Sequence, residues 1–353
     1  SDTTDMRLEL GHTPWGAWEG TFGAQWVDND FSADGEEAFV PPSTTKTAAL
    51  FWVESAEFDD WTIDLGLRYE DTEIDALPFP GAEPPGPGDD MEIPGQVALS
   101  RDFQPFSASA GVVWHVTESS HLAATLARAE RAPNAAELFA NGPHIATQAF
   151  EIGDPNLDVE ANMHYELSWR LHQGPFTGSI TVYYDDFSDY IYEEATDQFE
   201  DGLPVFFFTQ QDAKFTGGEI EFRWDLGRNA AGHWQAFGFY DQVRATLSDG
   251  SPVPRIPPRR VGLGMDWDRG PFAASAAWIH AAAQDRLADF ETATPGYDLV
   301  NAEFSWYVPA LPELGLELFL KGQNLLDEDI RNSTSFLKDQ APQIGRNFVF
   351  GIR

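Results

Sequence analysis

The chain has 353 residues with 58 acidic against 21 basic side chains, a net charge of −37, no cysteine, and 14% aromatic residues. So acidic a protein has no basic footprint for neutralising phosphates, which excludes nucleic acid as a partner. The lack of any thiol excludes disulfides, iron–sulfur ligation, cysteine-type zinc sites and cysteine nucleophiles. No run of about 18 apolar residues exists to form a transmembrane helix, and no leader-like segment opens the chain. Yet 27 Phe, 12 Trp and 9 Tyr have to be buried or embedded somewhere.

In chain order the pattern predicts about 15 strands: 4–11, 16–28, 46–57, 61–72, 103–116, 121–130, 161–172, 176–188, 212–226, 232–246, 256–268, 271–284, 296–307, 314–323 and 345–353. Alternation is their common feature. Trp61, Ile63, Leu65, Leu67 and Tyr69 take one face, and Thr62, Asp64, Gly66, Arg68 and Glu70 the other. Met163 to Leu171 repeats this against His164, Glu166, Ser168, Arg170 and His172, and so do Ile220 to Leu226 and Leu314 to Leu320. A soluble sandwich also alternates. Repetition along the whole chain, with aromatic residues at the ends of the apolar faces, favours a transmembrane barrel.

The connections alternate in length as well. Short turns fall at 12–16, 57–60, 117–120, 172–175, 227–233 and 268–271, and long connections at 29–45, 72–102, 130–160, 188–211, 285–295 and 324–344. In an outer-membrane barrel the short turns face the periplasm and the long loops face outside. An odd strand count makes the first and last strands both run toward the periplasm, so the chain is expected to begin in mid-barrel. No nucleophile elbow, phosphate-binding glycine loop or HExxH spacing appears, so no catalytic residue is expected. The glycines of FTGGEIEF (215–222) sit in a strand pattern.

Three segments carry a family resemblance. RAERAPNAAELFANGPH (128–144), followed by FEIGDPNLDVE (150–160), resembles the mid-barrel signature of TonB-dependent outer-membrane receptors. NLLDEDIRNSTSFLKDQAPQIGRNFVFGIR (324–353) resembles their last extracellular loop and closing strand, and GEEAFVPPSTT (35–45) and LGLRYE (65–70) are similar to receptors of this class. The resemblance implies an all-β, antiparallel up-and-down transmembrane barrel of about 22 strands around a plug. Residues 1–353 would be its C-terminal part, with the plug, the TonB-engaging box and the first strands having no counterpart here. It further implies an outer-membrane location amid lipid and lipopolysaccharide, and active uptake of a scarce nutrient through the TonB complex. No cofactor is required.

The wording of 141–154 most resembles receptors associated with zinc uptake, which implies zinc or a metal chelate as cargo. Asn141, His144, Glu151 and Asp154 are the candidate substrate contacts, with His144 and His164 as metal ligands, since imidazole and carboxylate suit zinc. Asn141, Gly142 and Pro143 can equally serve to shape a turn. His12, His115, His121, His172 and His233 fall on the periplasmic side, and His280 has lipid-face parity. Acidic residues gather at 70–75, 89–92 and 185–201, where they can concentrate cations or simply keep loops solvated. Alternative cargoes are an iron siderophore, haem, cobalamin or an oligosaccharide. A passive porin and a soluble β-sandwich adhesin are the readings from other classes.

Overall fold

A computed structural model describes residues 1–33, 35, 38–82, 94–309 and 315–353. Part of the 35–45 segment, the acids of 89–92 and Leu314 lie outside the described residues. The strands are β1 (Asp2–Gly11), β2 (Trp18–Phe31), β3 (Ser43–Phe58), β4 (Trp61–Ala76), β5 (Leu99–Phe103), β6 (Phe106–Thr117), β7 (Ser120–Arg131), β8 (Asn141–His144) and β9 (Ala149–Ile152). They continue with β10 (Glu160–Gln173), β11 (Phe176–Glu200), β12 (Leu203–Asn229), β13 (Gly232–Leu247), β14 (Arg260–Arg269), β15 (Phe272–Ala281), β16 (Tyr297–Tyr307), β17 (Glu317–Gln323) and β18 (Asn347–Ile352). One short helix, α1 (Ala135–Phe139), follows β7.

Each long strand pairs antiparallel with its neighbour in sequence, and β7 passes directly to β10. β5 and β6 both pair with β4. They are one strand interrupted at Pro105, which has no N–H to give to the ladder. With that pair counted once and β8–β9 a hairpin within a connection, the 18 strands reduce to the 15 expected, in an up-and-down antiparallel barrel sheet.

One long connection is wrong in the sequence reading. The 188–211 segment is strand, because β11 and β12 run on as a hairpin of 25 and 27 residues. It turns at Asp201 and Gly202, both at positive φ (50° and 81°), the Asp-Gly arrangement that suits a two-residue hairpin turn. Bulges between Phe187 and Tyr190 and between Ala195 and Phe199 bend its outer part.

The alternating faces separate lipid from lumen. Leu50, Leu126, Val182, Leu263 and Leu320 stand 65%, 45%, 50%, 50% and 47% exposed, an arrangement that is costly in water and stable against acyl chains. On β4 the apolar face from Trp61 to Tyr69 covers about 26 Å of strand, the scale of an outer-membrane band. Trp61 stacks on Trp114 at 5.4 Å beside the short turns, and Tyr165 packs with Tyr184 at 6.1 Å toward the other end. These are two interfacial girdles.

Aromatic residues of lumen parity need another explanation. Phe51, Phe237, Phe239 and Phe319 lie directly across from Gly23, Gly264, Gly262 and Gly351, and each ring occupies the space a Cβ would take. Arg7 sits over Phe51 at 4.4 Å and Arg353 over Phe319 at 5.2 Å. The ring thus covers bare backbone on one side and carries a cation on the other.

Candidate cargo-binding cleft in the outer loops

The signature segment after β7 builds a scaffold above the membrane. Asn134 caps α1 by accepting from Ala136 N and Glu137 N at 2.9 and 3.0 Å, and the Glu137 carboxylate reaches back to Asn134 N at 2.7 Å. Arg131 pairs with Glu137 at 2.8 Å and with Glu160 at 3.0 Å, and Glu160 also accepts from Ile191 N at 2.8 Å. One guanidinium therefore ties β7, α1, β10 and the outer part of β11. Beneath it Leu138, Phe139, Leu157 and Ile191 close a small apolar core with Ile74 and Phe103. Within 128–160, the residues Arg131, Asn134, Glu137, Leu138, Phe139, Leu157 and Glu160 serve this packing.

The β8–β9 hairpin projects from that scaffold. His144 Nδ1 lies 2.7 Å from Glu151 Oε1, which also accepts from Thr147 Oγ1 at 2.8 Å, and the imidazole stacks on Phe39 at 4.2 Å. Asn141 is structural in its contacts: its side chain donates to Pro94 O at 2.9 Å. Asp154 accepts from Asn156 N at 2.8 Å within its own turn. His164 faces the lumen lower down, with Nδ1 2.7 Å from Asp185 on β11. The structure thus brings His144 and Glu151 together and leaves Asp154 and His164 with other partners. Among the described residues no three His, Asp or Glu side chains gather as a metal cage.

β9 runs parallel to the outer part of β12, with Glu151 beside Phe206. Phe206 forms one wall of a cleft of ≈ 320 Å³ between the β11–β12 hairpin and the connections at 248–259, 282–296 and 324–346. Arg255 organises its floor from a left-handed backbone (φ 58°). Its guanidinium pairs with Glu193 and lies 3.9 Å over Phe336, while its N–H donates to Glu291 at 2.6 Å. Lys338 is buried and donates to Thr292 O and, at 2.7 Å, to Thr294 Oγ1. Both cations of the lining therefore have intramolecular partners, while Glu194, Asp249, Asp289 and Asp339 add negative charge. Burial pushes the Glu193 carboxyl up from its ordinary value; Arg255 and His144 oppose the rise and Glu151 adds to it. Burial, with Glu194 and Asp249, moves the Tyr192 hydroxyl up to about 12, so it remains a donor. Ser333 Oγ is buried at this cleft without a hydrogen-bond partner among the described residues.

Residues 1–325 match the family described as TonB dependent receptor-like, beta-barrel. The chain belongs to that family. Among solved structures it is similar to the copper transporter OprC (17% identity, TM-score 0.80), covering 99% of this chain and 56% of that one. It is also similar to the ferric-catecholate import receptor Fiu from E. coli K12 (16%, TM-score 0.69, 99% and 54% covered). The FrpB iron transporter from Neisseria meningitidis matches at 13% and TM-score 0.71, with 99% and 54% covered. At these identities the likeness is one of fold, and the chain spans about half the length of the receptors it matches.

Within this family fold, Arg255, Phe336 and Lys338 are cleft residues that sequence reading did not single out, while Glu193 stood out only as one of the acids of 185–201. Glu193 belongs to the β11–β12 hairpin, Arg255 to the 248–259 connection, and Phe336 and Lys338 to the 324–346 connection, so no local spacing unites the three segments. The one usable signal was the resemblance of 324–353 to a last extracellular loop, which marked Phe336 and Lys338 as outer-loop residues.

Proposed function

We propose that this chain forms the barrel of an outer-membrane receptor that takes up a small metal chelate through the TonB complex. In that reading a plug and further strands complete a barrel of about 22 strands, lipopolysaccharide surrounds its outer rim, and no step is catalytic. The observation that carries it is the loop-built cleft: ≈ 320 Å³, walled by Phe206 and Phe336, and negative because Glu193, Glu194, Asp249, Asp289, Glu291 and Asp339 outnumber the two cations of the lining, Arg255 and Lys338. That size suits a small ligand. Its charge favours a cationic or neutral complex over an anionic siderophore. The His144–Glu151 pair beside the cleft supplies nitrogen and oxygen donors of the kind zinc or copper accepts. The finer assignment to zinc rests on that pair and on the wording of 141–154.

The test measures the abundance of the full-length receptor in outer membranes of cells starved in turn of zinc, copper and iron. Uptake of the labelled metal is then followed before and after the proton gradient is collapsed. A rise under zinc or copper starvation, with uptake that stops on collapse, is expected. Uptake that survives collapse would identify a passive porin, and indifference to all three metals would overturn a metal cargo.

A further inference from the structure

Five of the eight histidines lie beside the short turns, far from the cleft, and they divide sharply by what their ring nitrogens do. His233 is used up, with Nδ1 2.9 Å from Asp268 and Nε2 2.8 Å from Asp225. His12 spends Nε2 on Glu54 at 2.7 Å and Nδ1 on Thr13 O at 2.9 Å. His172 Nδ1 lies 2.9 Å from Thr177 Oγ1. His115 and His121 are different: they are direct cross-strand partners on β6 and β7, and their Nδ1 atoms point at each other across 2.8 Å.

We infer that His115 and His121 form a two-histidine site for a divalent transition-metal cation of the zinc–copper–nickel type at the inner rim of the barrel. Two facing ring nitrogens share a single proton, so one of them presents a lone pair at the meeting point. His115 Nε2 lies 3.0 Å from Thr62 Oγ1 on the adjacent strand β4. Donation through that contact leaves the proton on Nε2 and the lone pair on Nδ1, the arrangement by which outer partners orient a ligating imidazole. His121 then carries the shared proton in the metal-free form, and that proton moves to its own Nε2 when a cation takes its place. The rings stand nearly perpendicular, at 83° with centroids 4.9 Å apart, so both lone pairs reach one point without stacking. With metal–nitrogen bonds of about 2.0–2.1 Å at a tetrahedral angle, the nitrogens would sit about 3.3 Å apart, roughly half an ångström beyond their present separation.

The backbone supports the same assignment. The β6–β7 ladder shifts register between His115 and Thr117, an irregularity of the kind that re-aims a neighbouring side chain. His115 N donates to Asp60 O at 2.8 Å. The turn carrying Asp59 and Asp60 and the turn carrying Glu118 thus flank the pair and favour a cation there. Two protein ligands leave the remaining positions to water, so the ion exchanges readily. This site is independent of what the outer cleft binds.

Copper(II) added to the full-length receptor, purified without a histidine tag, tests this by electron paramagnetic resonance. The spectrum is expected to show coupling to two imidazole nitrogens, and zinc is expected to displace the signal. His115→Ala or His121→Ala should each abolish the two-nitrogen pattern, and Thr62→Val should weaken binding about tenfold with the barrel intact by heat-shifted mobility. His121→Gln provides the same test if an alanine variant does not fold. Persistence of the pattern in either histidine variant, or its absence from the unmodified receptor in excess copper, would overturn the site.

Discussion

Arg255 makes three contacts from a backbone conformation that side chains other than glycine seldom adopt, and it joins three separate outer segments in doing so. Its partner Glu193 is the titrating group of the cleft. Because burial raises the Glu193 pKa, the side chain loses its charge at a higher pH than a free glutamate does. A cationic ligand should therefore bind more weakly as pH falls, beginning above 4.5. Glu193→Gln should bind more weakly at neutral pH and lack that step, as read by tryptophan quenching across a pH series. The linkage to packing has the opposite sign. The folded form holds the proton more tightly than the unfolded one, so this stabilisation is complete below 4.5 and is lost as pH rises through the raised value. Mild acid thus firms the loops while it weakens cation capture. His144 with Glu151 was legible beforehand because both lie on one short hairpin. Arg255 and Phe336 were not, and Glu193 was only as one acid of the 185–201 stretch, because only the tertiary fold brings their segments together.

At the scale of the strand, the sheet repeatedly sets a phenylalanine across from a glycine on its lumen face. A Cβ on Gly264 would come within 2.2 Å of the Phe237 ring. Gly264→Val should cost about 1–3 kcal/mol by overpacking, seen as a lower temperature at which the heat-shifted band unfolds. Adding Phe237→Ala should recover part of the loss, because the ring is what the new side chain strikes. Strand number and face assignment were readable from alternation, and the lumen-parity exceptions Phe51, Phe237, Phe239 and Phe319 each cover a cross-strand glycine. The outer half of the β11–β12 hairpin was not readable that way. Above the membrane both of its faces meet water or other loops, so residues such as Glu193, Glu194 and Asp197 break the two-residue rhythm. The Asp201-Gly202 turn was the available signal, and it outweighs the loop-like composition around it.

For the whole molecule, the girdles and the alternation of short and long connections fix an orientation. The native chain has no cysteine, so single cysteines can report it without background. Asp201→Cys, at the tip of the long hairpin, should react with a membrane-impermeant maleimide on intact cells. Ser119→Cys, in a short turn, should react only after the outer membrane is opened; the reverse pattern would invert the assignment. Charge agrees with that view, since a chain at −37 meets divalent cations readily at both rims. Family membership and the barrel sheet come from the whole pattern, whereas the cleft depends on a few side chains that only the tertiary fold gathers. The parallel pairing of β9 with β12 has a consequence at this scale too. Where β12 rises beyond the end of its pairing with β13, its backbone would present unpaired donors and acceptors, a template for strand addition between receptors crowded in one membrane. β9 occupies part of that edge from within the same chain, at Val205 to Phe207, so the tall hairpin gains a guard against self-association.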